Sequence, residues 1–197
     1  MQSFDLSFDY RCPFAKNIHL HVIEALRAGA DYDVNFAPWS LSQGSRDDGP
    51  DVWNDPAFDA DLLSLAAAVS VRDQQSEYFL DAHEALFRAR HDRAIRLVTL
   101  DEISNVLAPL GVDMAKVAAD VASRRPHDVI AASHKEFERF EAFGVPTFVA
   151  NDDATFVRYM SEPDGDRAKS VELISALLDM MTNRPDLNEF KHTQLPR

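Results

Sequence analysis

Tyr10-Arg11-Cys12-Pro13-Phe14-Ala15 marks the point where one periodicity gives way to another. Before it, Phe4, Leu6, Phe8 and Tyr10 alternate at period two, the pattern of a half-buried strand. After it, Ile18, Val22, Ala25 and Leu26 recur at helical spacing, and Gly29 lies just beyond, where a helix terminator is expected. Cys12, the sole cysteine, therefore falls at the N-terminus of the first helix. The first N–H groups of a helix lack partners and carry partial positive charge, so a thiolate placed there is favoured over the thiol. Pro13 suits the first helical turn, because its missing N–H would have had no partner. Arg11 adds a formal positive charge next door, and the expectation is a Cys12 pKa below that of a free thiol.

Working outward, Asp33-Val34-Asn35-Phe36-Ala37 reads as a second strand ending near Pro38, which makes a strand, helix, strand opening with a right-handed crossover. Residues 42–54 are polar with glycine and proline, and are expected to form a mobile loop. From about residue 55 to 143 the pattern is helical, with room for four or five helices. Asp55 before Pro56, the Thr99/Glu102 pair and Asp113 are N-terminal caps. Phe79, His83, Leu86 and Phe87, then Ile103, Val106, Leu107 and Leu110, mark buried helix faces. The last helix of this region, carrying Phe137, Phe140 and Phe143 as a packed stripe, is expected to stop at Gly144. Val145-Pro146-Thr147-Phe148-Val149-Ala150 then reads as a strand, residues 151–153 as a turn and residues 155–160 as the hairpin partner. An amphipathic helix over 166–181 and an aperiodic tail, 184–197, complete the chain.

Composition sets the limits. With 197 residues, 46% of them hydrophobic, the chain can bury a core of one domain carrying an insertion. A formal net charge of −13 argues against a broad basic surface for nucleic acid. No apolar run approaches the roughly 20 residues needed to cross a bilayer, so no membrane partner is expected. The N-terminus shows no basic segment followed by an apolar one, and a cytoplasmic location is expected. One cysteine cannot form an internal disulfide, which agrees with a reducing compartment.

A strand, a Cys-Pro-Phe-Ala helix start, a helical insertion, then Phe143-Gly144-Val145-Pro146-Thr147-Phe148 leading into a hairpin and a C-terminal helix resembles the DsbA-like branch of the thioredoxin fold. That branch also holds the kappa-class glutathione transferases and 2-hydroxychromene-2-carboxylate isomerases. The segments around residues 156–160 and 187–192 look like an actinobacterial subset. The resemblance implies an α/β, thioredoxin-like fold with a mixed sheet and an inserted helical subdomain. Residues 1–54 and 144–197 would form the thioredoxin-like domain, and 55–143 the insertion. It implies that Pro146 is cis and lies against Cys12, with Val145, Pro146 and Thr147 binding an extended substrate and Arg11, Pro13, Phe14 and Ala15 forming the motif around the catalytic cysteine.

Ala15 departs from the family pattern, which places a second cysteine there. A self-contained disulfide donor is thereby excluded, and monothiol chemistry with an external thiol remains, as in thiol-disulfide oxidoreductase or disulfide isomerase reactions. Mycothiol or glutathione is the candidate co-substrate, with no tightly bound cofactor and no metal. Two other classes stay open: a thiol-dependent transferase, isomerase or reductase of small electrophiles, and a redox-inactive binding module. The apolar last helix and tail are compatible with a homodimer.

Other polar residues have plainer explanations. His19 and His21 follow Cys12 on the helix; His19 is two turns away, about 10 Å, too far for direct proton transfer, and a solvated helix face accounts for both. His83, Glu84, His91 and Asp92, like His127, Asp128 and His134, fit no recognised zinc spacing and are assigned to solvated or half-buried faces. Trp39 and Trp53 flank the polar loop as pocket residues or as packing anchors.

Overall fold

The computed structural model describes residues 1–46 and 48–194. Asp47 of the expected loop and the last three residues of the tail lie outside the described residues. Strand β1 (Gln2–Phe8), helix α1 (Pro13–Arg27) and strand β2 (Tyr32–Pro38) form the parallel opening unit, and Gly29 at φ +86° takes the left-handed turn after α1. A short helix, α2 (Leu41–Gly44), follows. Five helices then lie between β2 and the next strand: α3 (Asp59–Gln74), α4 (Phe79–His91), α5 (Leu100–Leu107), α6 (Met114–Ala122) and α7 (Arg125–Glu138). The chain returns as β3 (Thr147–Ala150), β4 (Asp153–Phe156) and α8 (Arg167–Asn183). The sheet order is β2-β1-β3-β4, with β3 antiparallel to both β1 and β4, so the sheet is mixed. The hairpin turns at Asn151 and Asp152, both at positive φ (53° and 60°), as a two-residue turn matching strand twist requires.

Local capping chemistry holds as the sequence suggests. Asp55 and Asp113 accept from backbone N–H groups at helix starts, and Thr99 with Glu102 forms a reciprocal capping box; the structure adds a further cap, Asp166, at the start of α8. The differences come from longer-range contacts. Tyr10 lies past the end of β1 rather than inside the strand. The Asp9 carboxylate accepts from the Arg11 N–H and the Leu41 N–H, which bends the chain out of the ladder after Phe8.

The loop over 42–54 is anchored. The Gln43 amide donates to Asp51 and accepts from the Val52 N–H, while Val52 and Trp53 are buried. Trp39 and Trp53 are both buried and both pack on the His134 ring, so both are core residues rather than pocket walls. Gly44 is required by contact with Trp39, because a Cβ there would come within 2.1 Å of the indole.

Helix α7 stops at Glu138, well short of Gly144. Its closure is made by Glu141 at φ +55°, with the Ala142 N–H returning to the Phe137 carbonyl at 3.2 Å, a Schellman-type end without glycine. Consequently Phe137 is buried, but Phe143 is 76% exposed, and the three phenylalanines do not form one packed stripe.

Helix α1 is covered on both flanks, by α4 and by α8, and this overturns the solvated-face assignment of its histidines. His21 is buried, with its ring held by the Ser170 hydroxyl of α8 and the Ser161 carbonyl. His19 is fully buried against α4, where it meets His83, itself fully buried. His83 sits among the rings of Phe8, Tyr10, Phe36, Phe79 and Phe87, with centroids 4.6–5.4 Å away. The spacing Ala15, Ile18, His19, Val22 is an i, i+3, i+4, i+7 stripe and carried the signal for His19.

Candidate active site

Cys12 is the N-cap of α1, with extended backbone at φ −92° and ψ 118°. Its sulfur accepts from the Ala15 N–H at 3.5 Å and donates to the Val145 carbonyl at 3.1 Å. The Val145–Pro146 peptide bond is cis, and Val145, Pro146 and Thr147 are buried, with the Val145 carbonyl facing the thiol. The Thr147 N–H donates to the Ser7 hydroxyl and the Thr147 hydroxyl to the Gly144 carbonyl, each at 2.8 Å. Among the described residues nothing bonds to the Val145 N–H. The structure thus brings Cys12 together with the Val145-Pro146-Thr147 turn from the far end of the chain. Pro13 is exposed, Phe14 half-buried and Ala15 fully buried.

Arg11 does not serve the thiol. Its guanidinium is held by Asp9 at 2.7 Å, by the Ser42 hydroxyl at 2.8 Å and by Asp61 at 3.3 Å, and Asp9 is itself buried. A charge neutralised in this way fastens the loop to α2 and α3. The cation that acts on Cys12 is Arg158, beyond β4, whose guanidinium lies 4.9 Å from the Phe14 ring centroid. Sequence reading passed over it, because the hairpin pattern does not show where the chain leaves the sheet.

The expected lowering of the Cys12 pKa is also corrected. Burial pushes the thiol up; the N–H groups of Ala15 and Phe14 pull it down, the Asp9 carboxylate pushes it up and Arg158 pulls it down, with burial prevailing. At rest the sulfur is a neutral thiol donating to the Val145 carbonyl. The alkylation rate of Cys12 should therefore rise with pH to a midpoint above that of the same cysteine in the unfolded chain. A midpoint below it in an iodoacetamide pH series would refute the burial argument.

Beneath the loop runs a buried polar chain. The Ser7 carbonyl can only accept, so His19 Nε2–H donates to it, at 3.1 Å. His19 Nδ1 must then accept from His83 Nε2–H, at 2.9 Å, and His83 Nδ1 from the Tyr10 hydroxyl, at 2.7 Å. Every member is satisfied with both rings neutral. Burial pushes the His19 pKa down to about 3, lowers that of His83 and raises that of Tyr10.

The fold that carries this site has counterparts among solved structures. DsbA from Pseudomonas aeruginosa aligns with a TM-score of 0.61 at 22% identity, covering 95% of this chain and 86% of that one. MdbA, a thiol-disulfide oxidoreductase from Actinomyces oris, aligns with 0.62 at 19%, covering 92% and 80%. The cytosolic disulfide reductase DsbM from Pseudomonas aeruginosa with GSH aligns with 0.61 at 15%, covering 89% and 98%. At these identities the likeness is one of fold. No curated protein matches the sequence. The family described as DSBA-like thioredoxin domain matches residues 4–161, from β1 to just past the hairpin. With all but the first two residues of its sheet, its Cys12 helix start and its Val145–Pro146 turn inside that match, the chain belongs to the DSBA-like thioredoxin domain family.

Proposed function

We propose that this protein is a thiol-disulfide oxidoreductase working through Cys12 alone, in a reducing cytoplasmic setting, with a low-molecular-weight thiol supplying the second sulfur. The observation that carries this reading is the Cys12 sulfur, 3.1 Å from the Val145 carbonyl, with Ala15 fully buried where a resolving cysteine would stand. Cys12 gives its proton to solvent, and the thiolate, stabilised by the Ala15 and Phe14 N–H groups, bonds one sulfur of a disulfide while the other leaves as thiolate. A second thiol then attacks the mixed disulfide and restores Cys12. The unpaired Val145 N–H offers strand-like pairing to the extended part of the ligand.

The raised pKa favours one direction of use. A strongly oxidising site needs its reduced form stabilised as thiolate, and here burial does the opposite. A rarely ionised thiolate is the better nucleophile and the poorer leaving group, which suits accepting a small thiol in a persistent adduct more than donating a disulfide. The test is intact-mass measurement after exposure to a small disulfide. One adduct is expected, at Cys12, discharged by excess small thiol; an unmodified mass defeats the proposal.

The neutral thiol favours a second reading. A thiol-dependent transferase, isomerase or reductase of small electrophiles would use the Cys12 S–H to donate to a bound thiolate, as it now does to the Val145 carbonyl.

A further inference from the structure

The surface beside Cys12 carries a cation with no charged partner among the described residues. Arg158 makes no ion pair and no hydrogen bond among the described residues, although the chain carries a formal net charge of −13. Its guanidinium is instead placed by rings, 4.9 Å from the Phe14 centroid and 5.7 Å from that of Phe156. Phe143, 76% exposed, continues this plate at 5.0 Å from Phe156 and leads directly into Gly144 and Val145. Stacking engages the face of a guanidinium and leaves its N–H edge open for a planar, bidentate acceptor. Meanwhile Arg11, the other cation beside Cys12, is fully occupied by Asp9, Ser42 and Asp61.

We propose that Arg158 is the anion-binding residue of the Cys12 site, and that the small thiol the site takes carries a carboxylate. This deepens the single-cysteine reading and rests on it. The ligand's sulfur meets Cys12 at the helix start, its apolar stem lies on Phe14 and Phe156, and its carboxylate takes the edge of Arg158. A glutathione-like thiol meets these demands. An uncharged thiol of the mycothiol kind leaves Arg158 unused. In the step itself, Cys12 loses its proton to solvent, a new S–S bond forms to one ligand sulfur, and the ligand's own S–S bond breaks. The Cys12 sulfur is oxidised, and the departing sulfur leaves reduced as a thiolate. A second molecule of the same thiol reverses the bond at Cys12 and carries the disulfide away.

The test compares three symmetric disulfides of similar size: dithiodipropionate, bis(2-hydroxyethyl) disulfide and cystamine. Second-order rates of Cys12 adduct formation are read by mass at one pH, each divided by the rate of N-acetylcysteine amide with the same disulfide. That division removes leaving-group differences, and comparing disulfides on one protein removes the ionisation of Cys12. For the wild type the carboxylate disulfide should exceed the neutral one by about five- to tenfold, the scale of one partly exposed charge-assisted pair, with cystamine slowest. Arg158→Gln should bring the first two within about twofold, and Arg158→Lys should keep part of the preference as a point charge. Equal normalised rates in the wild type, or a preference that survives Arg158→Gln, overturns the assignment of Arg158 while leaving Cys12 chemistry standing. No adduct with any of the three defeats the single-cysteine reading, and this one with it.

Discussion

Cys12→Ser protein is expected to fold normally and to lose thiol-disulfide exchange by on the order of 10⁴-fold or more, the scale on which removing a nucleophile acts. Folding should survive because serine is itself a favoured N-cap, and its hydroxyl can both accept from the Ala15 N–H and donate to the Val145 carbonyl, as the sulfur does now. The stability change should stay within about 1 kcal/mol. Exchange must fail because no other thiol exists in the chain. The measurement is reduction of a small mixed disulfide, with denaturant unfolding as the control. Retained turnover of a small electrophile in the serine variant would move the protein to the thiol-dependent transferase class. A wild type inert in both assays would leave a binding module.

His83→Ala carries the largest expected effect on stability. It removes a ring at the centre of an aromatic cage and strips two buried groups, the Tyr10 hydroxyl and His19 Nδ1, of their partners. Cavity and unsatisfied groups together should cost roughly 3–5 kcal/mol. The same chain makes the fold sensitive to acid. The folded-state pKa values of His19, down to about 3, and His83 lie below those of the unfolded chain. The unfolded state therefore binds protons that the folded state refuses. Stability is complete above the ordinary histidine range, about 6.5, and falls as pH drops below it, by up to about 1.4 kcal/mol per pH unit for each such histidine, for His19 down to about pH 3. Urea unfolding at pH 7, 6 and 5 should show this decline. His83→Ala should show a shallower decline by up to one histidine's share, and parallel pH curves for the two proteins would refute the assignment.

What could be read in the sequence was local or paired by motif. The first strand around Phe4 and Leu6, the Pro13 helix start and the caps at Asp55, Thr99 and Asp113 depend on neighbours within a few residues. The Cys12 and Val145–Pro146 motifs announced each other across the chain. What escaped depends on contacts between distant elements. Burial of His19 and His21 requires α4 and α8 to close over α1. The choice between Arg11 and Arg158 turns on a buried Asp9 that captures the nearer guanidinium. The direction of the Cys12 shift is a contest between helix-end donors and desolvation, and only the folded surroundings decide it. The end of α7 escaped because Glu141, not glycine, takes the left-handed position.

Ser7 joins two things that look separate on the surface. Its carbonyl ends the Tyr10–His83–His19 chain, and its hydroxyl receives the Thr147 N–H at 2.8 Å. The Tyr10–Cys12 loop and the cis-proline turn, which meet at the thiol, are therefore gauged from the same interior point, like the jaws of a caliper set on one hinge. The spacing of these two segments is a property of the core. Changes at Ser7, His19 or His83, far from the surface, should therefore shift the Cys12 loop and the cis-proline turn relative to each other.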